Sequence, residues 1–499
     1  MKLLSTITFL FVFSSVIQAQ TIQVLDEETK KPIAGVAVFN DSKLTTGITD
    51  IDGNIDITNF SENEWITFQH ISHINRFLTK KEIISSGNTI ILSPAASSLD
   101  EVVLSISKFE QNKKEISQKI SSITSKDVLF TNPQTSADLL ERSGNVFIQK
   151  SQLGGGSPII RGFSTNRLLI AVDGTRFNNA IFRGGNVQSV ISIDPFSIER
   201  SEVILGPGSV VYGSDAIGGV MNFYTKNAKF SFKDGASVSG NFTTRYATAS
   251  SEKTGHVDLN LGLNEWAFLT SISYTDFGDL VMGKYGPDDY LRPEYVATIN
   301  GEDVLVINKD PRKQVSSGYK QINAMQKIRF MPSENWDFNL GLFYTTTSDY
   351  PRYDRLIRKK EGQLRSAVWD YTPQEWINGN LRITHKGSSL YDKSIFTLSY
   401  QNFKEGRRDR DFGDTILYET KEKVNAYTSA LDFIKKFGKS KLFYGLEYVY
   451  NKVNSVGKQT NLDDGATSET SPRYPDDSNW QSMAAYVSLQ SKVAANLSL

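Results

Sequence analysis

The sequence predicts a mostly β protein with three parts: a small N-terminal β-sandwich, an α+β domain, and part of a transmembrane antiparallel β-barrel. Three observations carry this prediction. The 499 residues include 21 Tyr and 29 Phe although hydrophobic residues make up only 39%, which is typical of many half-buried strands. Apolar and polar residues alternate along the second half of the chain. Short and long connections also alternate there, as expected for a barrel with tight turns at one end.

Charge balance and cysteine content exclude several classes of function. Lys plus Arg and Asp plus Glu both number 55, so the net charge is zero and no general attraction to nucleic acid is expected. The chain has no cysteine, which excludes disulfides and a lipid anchor on an N-terminal cysteine. The length predicts more than one folding unit.

Residues 1–19 are predicted to be a signal peptide. Lys2 precedes an apolar run from Leu3 to Val16, and Ala19 provides the small residue of a cleavage site. No later apolar stretch is long enough for a spanning helix. An exported chain of this kind would therefore enter a membrane only as a closed sheet.

Residues 20–94 are predicted to form the small β-sandwich, because short alternating runs are separated by turns. The run Asp50–Gly53 predicts a tight turn rather than a calcium loop, since Ser61 stands where an EF-hand needs glutamate. The segment resembles the carboxypeptidase regulatory-like domains found ahead of exported transporters, with Asp50 to Gly53 matching their hairpin. That resemblance implies a binding or spacer module without peptidase activity.

A pair of histidines in this segment has a spacing seen in metal sites. His70 and His73 lie three residues apart, but neither a glutamate nor a third ligand accompanies them. Strand-end histidines without a metal are therefore the favoured interpretation.

Residues 95–125 are predicted to be a flexible polar linker around one short β-prone run. Unpaired backbone groups suit such a run to join the edge of another protein's sheet, although it could also be the last strand of the sandwich. The spacing Ser105 to Lys108 fits a Ser-x-x-Lys pair, but a flexible tether provides no rigid surroundings for a nucleophile. The run resembles the TonB box, with these matching residues: Asp100, Glu101, Val102, Val103 and Leu104.

Residues 126–228 are predicted to form the α+β domain. Thr135–Glu141 reads as a helix with Ser136 as a plausible cap and Leu139 and Leu140 facing inward. Short strands separated by glycine turns follow, with charged residues where a soluble core would not bury them. The glycine runs fail as a phosphate loop, since no Gly-Lys-Ser/Thr follows. The order of motifs over 136–226 resembles the plug domain of TonB-dependent receptors.

Residues 229–499 are predicted to be the incomplete barrel, with about ten strands and an eleventh beginning at Asn496. The plug resemblance implies a barrel of about 22 strands, so roughly half would be missing. Short connections are expected near Asn264, 332–335, 387–391 and 438–440. Long ones are expected at 278–318, 348–375, 405–423 and 457–479.

No catalytic constellation is present in the sequence: no His-Glu-x-x-His, no Gly-x-Ser-x-Gly and no cysteine nucleophile. The chain is therefore not expected to be an enzyme, and no intrinsic cofactor is expected. The family resemblance implies TonB-dependent active import of a scarce bulky ligand. It also implies a place in the cell outer membrane, with the N-terminal domain and plug on the periplasmic side. The implied partners are TonB with its inner-membrane energising complex, outer-membrane lipid and a surface lipoprotein, and no nucleic acid.

Ligand-binding residues are expected in two places. At the plug apex, by resemblance, they are Arg176, Phe177, Asn178, Asn179, Phe182, Arg183 and Asn186. In the barrel loops, aromatic and cationic side chains suited to a planar or anionic carrier are Tyr285, Tyr290, Tyr350, Arg352, Tyr353 and Arg355. For Tyr350 and Tyr353, a place in an aromatic girdle is the alternative.

The sequence from Arg161 to Arg183 resembles that of the haem branch of the family. Haem or an iron chelate is therefore the expected transported ligand. A haem site needs an axial His or Tyr, and the plug contains no histidine, so His256 near an external loop becomes the candidate. Ferric siderophore, cobalamin or glycan import by the same fold are alternatives. A passive porin or adhesin is another, and an exported enzyme built on the small sandwich is a third.

Overall fold

The computed structural model describes residues 20–498 except 28, 41, 43, 71–72, 94–101, 106, 114–115, 151, 183–188, 232–234 and 495–496. The predicted signal peptide therefore lies outside the described residues. The chain divides into two compact units, Met1–Glu101 and Val102–Leu499. Among the described residues, no helix is both long enough and apolar enough to cross a membrane.

The first unit is built from two small sheets that share one core, as predicted. Its elements are β1 (Thr21–Asp26), β2 (Ala37–Asn40), β3 (Thr46–Ile48), β4 (Asn54–Asp56), β5 (Trp65–His70), β6 (His73–Thr79), α1 (Lys80–Ser85) and β7 (Thr89–Leu92). One sheet has the order β4-β1-β7 and the other β3-β2-β5-β6. Alternate residues of each sheet, such as Val24 and Phe68, are fully buried in the shared core, which is the pattern of strands with one buried face.

Two local features of this unit follow from its sequence. The tight turn at Asp50 is confirmed: the Asp50 carboxylate accepts hydrogen bonds from the N–H groups of Asp52 and Asn54. Gly53 has a φ of 71° and leaves no room for a Cβ beside the Val24 carbonyl. Helix α1 was not expected, although Thr79 and the glutamate three residues later form a capping box, a signal that is readable in the sequence.

The two histidines of this unit form a hydrogen-bonded chain with an aspartate. His70 Nδ1 lies 2.9 Å from His73 Nδ1, and His73 Nε2 lies 2.8 Å from the Asp26 carboxylate. Burial, and then the neighbouring His73, lower the pKa of His70. No group of three or more potential metal ligands was found in the described part of the chain.

The second unit begins with a mixed domain in residues 102–225. Its strands are β8 (Val102–Val103), β9 (Gln111–Asn112), β10 (Ile120–Thr124), β11 (Phe147–Gln149), β12 (Ser157–Ile160), β13 (Phe163–Ser164), β14 (Leu168–Val172), β15 (Thr175–Arg176), β16 (Ile198–Ile204) and β17 (Gly219–Thr225). Its α-helices are α2 (Ser125–Thr131), α3 (Ser136–Glu141) and α4 (Ser209–Tyr212), and its 3-10 helices are Thr165–Arg167, Ser189–Ser192, Pro195–Ser197 and Ser214–Ala216. The main sheet has the order β10-β16-β17-β14-β15, and β14 and β17 run parallel.

The predicted helix of this domain is present, with its cap one residue earlier than expected. Thr135, not Ser136, is the N-cap of α3 and forms a capping box with Asp138, because the threonine hydroxyl can accept from the third backbone N–H of the helix. Leu139 and Leu140 have no exposed surface. Their predicted inward orientation is confirmed.

The rest of the second unit is one large antiparallel sheet. Its main strands, in hydrogen-bonded order, are β18 (Ser237–Ala247), β19 (Glu252–Gly262), β20 (Trp266–Phe277), β23 (Tyr319–Ser333), β24 (Trp336–Thr347), β28 (Ser366–Lys386), β29 (Lys393–Asp411), β30 (Ile416–Phe437), β31 (Ser440–Asn461), β33 (Ser478–Ala494) and β34 (Leu497–Ser498). Short elements in the connections are β21 (Glu294–Ile299), β22 (Glu302–Ile307), β25 (Tyr350–Pro351), α5 (Tyr353–Leu356), β26 (Lys359–Lys360), β27 (Gln363–Leu364), β32 (Thr467–Thr470) and a 3-10 helix, Asp288–Tyr290. Ten long strands precede β34, in agreement with the predicted number.

Connections at one end of the sheet are short, at 263–265, 334–335, 387–392 and 438–439. Those at the other end include 278–318, as predicted, and two segments shorter than predicted: 348–365 instead of 348–375, and 462–477 instead of 457–479. The prediction of a long loop at 405–423 was wrong: β29 and β30 pair without interruption up to Asp409 and Tyr418, which leaves only 412–415 between them. Polar side chains can line a strand on both faces where it is surrounded by water, so polarity alone does not end a strand.

The two faces of the large sheet have opposite polarity. Large apolar side chains exposed on one face include Val257, Leu259, Ile272, Tyr274, Leu398 and Tyr400. Polar side chains buried on the other face include Asp258, Asn260, Ser271, Ser273, Ser399 and Gln401. The buried face packs against the mixed domain, since both contribute to one cluster of buried residues. An apolar outer face around a polar interior is the arrangement of outer-membrane barrels, not of water-soluble sandwiches.

Candidate functional site

The first segment of the second unit, residues 102–112, is packed against both the mixed domain and the sheet; we call it the tether. Its β8 pairs with β9, and Val103, Ser105 and Phe109 are buried. The expectation of an unpaired flexible run was therefore wrong for Val102 to Leu104. Asp100 and Glu101 lie outside the described residues. The partners of the tether are distant in sequence, so no local pattern could reveal them.

A buried ion pair joins the tether to the sheet. Lys108 Nζ lies 3.1 Å from the carboxylate of Asp432 on β30 and 3.7 Å from that of Glu447 on β31. The side chains of Lys108 and Asp432 are only 8% and 2% exposed, so water screens this pair weakly. Asp432 also accepts a hydrogen bond from the Tyr486 hydroxyl. The next residue, Phe109, packs in an apolar cluster with three residues of the sheet.

A second carboxylate holds the tether from the domain side. Glu202, which has no exposed surface, accepts hydrogen bonds from the backbone N–H groups of Leu104 and Ser105 at 2.8 to 3.2 Å. Arg200 Nε lies 2.9 Å from the same carboxylate. Charge-assisted hydrogen bonds of this kind are among the stronger ones in proteins. The sequence singled out neither Glu202 nor Lys108 as a functional residue.

The predicted apical residues mostly have internal roles. Arg176 pairs with Asp215 at 2.7 Å, and its guanidinium is 9% exposed. Phe177 is buried in an edge-to-face contact with Trp376, and the Asn178 side chain satisfies the backbone of β14. These three side chains are therefore not exposed as expected, because the turn after β15 packs against β14 on one side and against the large sheet on the other.

The remainder of the apical set is divided. Asn179 is half-buried and accepts a hydrogen bond from the Ile181 N–H, and Phe182 is partly buried against the shared core. Arg183 and Asn186 lie outside the described residues. Asn179 and Phe182 are therefore the described residues of the predicted apex whose side chains remain partly accessible.

The external loops bring together three of the six predicted residues. The Arg352 and Arg355 guanidinium groups lie 5.1 and 5.9 Å from the Trp369 ring, and Arg292 lies 5.0 Å from the Tyr353 ring. Burial raises the pKa of Tyr353, although Arg292 opposes this. The Arg352 guanidinium also donates hydrogen bonds to the Asp354 carboxylate and to the Tyr371 hydroxyl.

The other three loop residues fall elsewhere. Tyr350 is 1% exposed and packs between Tyr319 and Tyr371, so neither its predicted ligand role nor the girdle alternative fits. Tyr285 and Tyr290 are exposed by 92% and 62% and lie in the loop between β20 and β23. They are accessible but do not share a cluster with the arginines.

One external contact was not predicted. Arg410, at the end of β29, forms a bidentate ion pair with Asp303 of β22. The two N–O distances are 2.6 and 2.7 Å, and the side chains are 5% and 1% exposed. Burial by itself would raise the pKa of Asp303. Hydrogen bonds from the Arg410 guanidinium and the Gly413 N–H outweigh burial and lower that pKa below its usual range. The hairpin β21–β22 is thereby fixed to the neighbouring loop.

His256 does not lie in an external loop. It is 3% exposed within β19, stacked on Phe196 of the mixed domain at 4.8 Å. Its Nδ1 lies 2.8 Å from Ser273 Oγ and its Nε2 3.3 Å from Asp258. Both ring nitrogens are engaged, so neither is free to bind haem iron. The prediction was wrong because the alternation along β19 places this side chain inward.

Comparisons with known proteins match this geometry. Residues 112–220 match the TonB-dependent Receptor Plug Domain. The vitamin B12 transporter BtuB of Photobacterium profundum is 24% identical over 368 residues, 73% of this chain and 52% of that protein. BtuB of Vibrio vulnificus is 39% identical over 136 residues, 26% of this chain and 22% of that protein.

Solved structures agree in fold. The copper transporter OprC superposes with a TM-score of 0.58 at 15% identity, covering 75% of this chain and 53% of its own. The ferripyoverdine receptor of the Pseudomonas aeruginosa outer membrane gives 0.51 at 11% identity, covering 95% and 60%. The chain spans about half the length of the relatives it matches.

Residues 112–220 of the mixed domain are thus similar to the plug domain of TonB-dependent receptors. The large sheet that follows has the fold of the barrels of outer-membrane receptors. The relatives are named as transporters or receptors, in agreement with the expectation that the chain is not an enzyme.

Proposed function

We propose that this chain is part of a transporter that imports a scarce, bulky ligand across the outer membrane with energy delivered through TonB. The observation that carries the proposal is the tether, which lies beside the domain that matches the plug model. It includes Val102 to Leu104 of the predicted TonB box and is held by Lys108 and Glu202. Strand addition to a sheet edge is a common mode of peptide recognition. TonB would bind residues 100–104 once they are released.

The arrangement supports a closed resting state. The plug contacts the inner face of the sheet through apolar packing and also through hydrogen bonds. The Gln401 amide donates to the Arg176 carbonyl, and the Ala180 N–H donates to the Asn451 side-chain oxygen. Such contacts exchange with water more easily than an apolar core does. A pull on the tether could therefore shift or partly unfold the plug while the large hydrogen-bonded sheet stays intact.

For the ligand, an iron carrier or cobalamin is the proposal. The arginine and aromatic groups around Trp369 suit an anionic or planar carrier, and the relatives are named for vitamin B12, copper and ferripyoverdine. Haem, the ligand expected from resemblance, loses His256 as a ligand residue and ranks below ferric siderophore and cobalamin. A surface lipoprotein partner remains part of the proposal, as does TonB.

The domain boundaries are also proposed: 1–19 signal peptide, 20–94 carboxypeptidase regulatory-like domain, 95–125 linker with the TonB box, 126–228 plug and 229–499 barrel. The tether, packed with the plug domain, lies within the proposed linker. The first unit has its own core, which is consistent with a spacer or signalling module in the periplasm.

The test is a deletion of residues 100–104 in the full-length gene. Growth would be measured with ferric siderophore, haem or cobalamin as the sole source of iron or cofactor. Growth on one ligand should require residues 100–104, while surface exposure of the protein is unchanged. Replacement of residues 113–117, which follow the tether, by the same number of serines is the matched control. Uptake that survives the deletion would favour the passive porin or adhesin and contradict the proposal.

A further inference from the structure

A cavity of about 510 Å³ lies between the plug and the large antiparallel sheet, which we call the wall. It is near the end of the sheet that has the short turns. On the plug side it is lined by Leu104 of the tether, by Arg200 and by Tyr224. On the wall side the lining residues Lys327, Asn339 and Arg382 come from β23, β24 and β28. Its volume falls within the range of small-molecule sites.

The charged side chains that line the cavity are four cations, Lys126, Arg200, Lys327 and Arg382, and two carboxylates, Asp173 and Glu199. Two of these cations already have partners. Lys327 Nζ lies 2.5 Å from Asp173, and Arg200 pairs with Glu202 behind the cavity wall. The lining thus keeps an excess of positive charge.

Of the other two cations, Lys126 is exposed and Arg382 is half-buried on β28, directly opposite Asn339 of β24. Within the described residues the guanidinium of Arg382 makes no hydrogen bond or ion pair. A guanidinium offers five N–H donors in a planar fork that matches a carboxylate or phosphate. Partial burial without a partner weakens its hydration, which favours an anion that enters the cavity.

We propose that this cavity is a binding site for an anionic group of the transported ligand, a carboxylate or a phosphate. Arg382 would be the main contact of that group. The inference rests on the proposed function, which gives the direction of transport. The cavity lies at the tether end of the plug and would be the last polar site that the ligand meets before the periplasm. A bulky ligand need not fit entirely, because one anionic arm fills the space. The Lys327–Asp173 pair, which joins wall to plug at the same cavity, would open as the plug shifts.

The test uses charge-selective labelling of a thiol in the full-length protein, in a background without other cysteines. Asn339→Cys places the thiol opposite Arg382, and Ser388→Cys in a short turn is the reference position. Each is labelled with a sulfonate-bearing and with a trimethylammonium-bearing methanethiosulfonate. Because a nearby unit charge acts in opposite directions on the two reagents, the anionic-to-cationic rate ratio should be on the order of tenfold higher at 339 than at 388.

Variants identify the source of the selectivity. Arg382→Gln should remove most of the excess ratio, Arg382→Lys should retain it, and Lys386→Gln, an exposed cation on the same strand, should leave it unchanged. Citrate and inorganic phosphate, added separately, should slow labelling at 339 but not at 388, and the stronger of the two identifies the preferred anion.

Equal ratios at 339 and 388, or a ratio that Arg382→Gln does not change, would overturn the proposal. Absence of protection by both citrate and phosphate would do so as well. The labelling requires no transport, so it can fail while growth still depends on residues 100–104. The reverse outcome, selective labelling without such growth dependence, would contradict the proposed function and leave the anion site in place.

Discussion

Replacement of Lys108 by glutamine should release the tether. The ammonium group of Lys108 is buried against Asp432, and removal of one partner from a buried ion pair costs about 3–5 kcal/mol. Asp432 keeps the hydrogen bond from the Tyr486 hydroxyl, so the lower value applies. About 3 kcal/mol corresponds to roughly a hundredfold shift toward the released state, at about 1.4 kcal/mol per tenfold change.

Thiol labelling measures this shift directly. Ser105 is fully buried in the tether and its hydroxyl has no hydrogen-bond partner among the described residues, so Ser105→Cys places a small thiol there with little disturbance. A maleimide reaches it only when the tether opens, and the labelling rate follows the population of the open state. In the full-length protein the rate should rise about a hundredfold when Lys108→Gln is added.

A matched control comes from an exposed pair on the same sheet. Lys404 lies 2.6 Å from Glu375, but these side chains are 47% and 26% exposed, and such pairs contribute at most about 1 kcal/mol. Lys404→Gln should leave the labelling rate nearly unchanged. If Lys108→Gln labels no faster than the parent, or Lys404→Gln accelerates labelling equally, then the buried pair does not hold the tether.

Three further predictions follow from other contacts. Glu202→Gln should accelerate labelling at position 105 by about tenfold, since it loses charge-assisted bonds worth about 1.5–3 kcal/mol; an unchanged rate would contradict this. Asp303→Asn should leave Arg410 without its partner, so proteolytic cleavage near 299–302 should rise roughly a hundredfold, whereas Arg365→Gln, an exposed pair, should not change it. The urea midpoint of fragment 20–93 should fall as the pH decreases from 7 to 5, and His70→Gln should flatten that dependence.

Burial of His70 determines how the stability of the first unit changes with pH. Its pKa is lowered in the fold, so the folded state binds fewer protons than the unfolded state below the ordinary histidine pKa of about 6.5. Stability is therefore fully present above that pH and is lost as the pH falls toward the lowered pKa. A midpoint that rises on acidification would refute this reasoning.

Much of the fold could be predicted because its signals are local. Alternation with a period of two, as in Val257 to Leu261, indicates a strand with two different faces, and glycine turns mark where strands end. The helix at Ser136 was predicted from a capping residue ahead of two leucines, and only its cap was displaced. Local polarity failed where strands continue into water, at 405–423.

The site was less predictable, because its contacts join residues far apart in the chain. Lys108 and Asp432 are separated by 324 positions, and their proximity depends on the register of β30 against its neighbours. A shift of one residue would turn Asp432 to the outer face. The same dependence placed His256 and Tyr350 inward, although both had been predicted to be accessible.

By itself the sequence determined that this chain is mostly β, that a glycine-rich domain precedes a sheet with one apolar and one polar face, and that a short β-prone run lies ahead of that domain. Only the tertiary structure decided which charges meet, which apical side chains are used internally, and that the tether is held closed. The physical reason is that backbone period and turn chemistry act over a few residues, whereas buried polar side chains are paired only when strand register and plug packing are both complete.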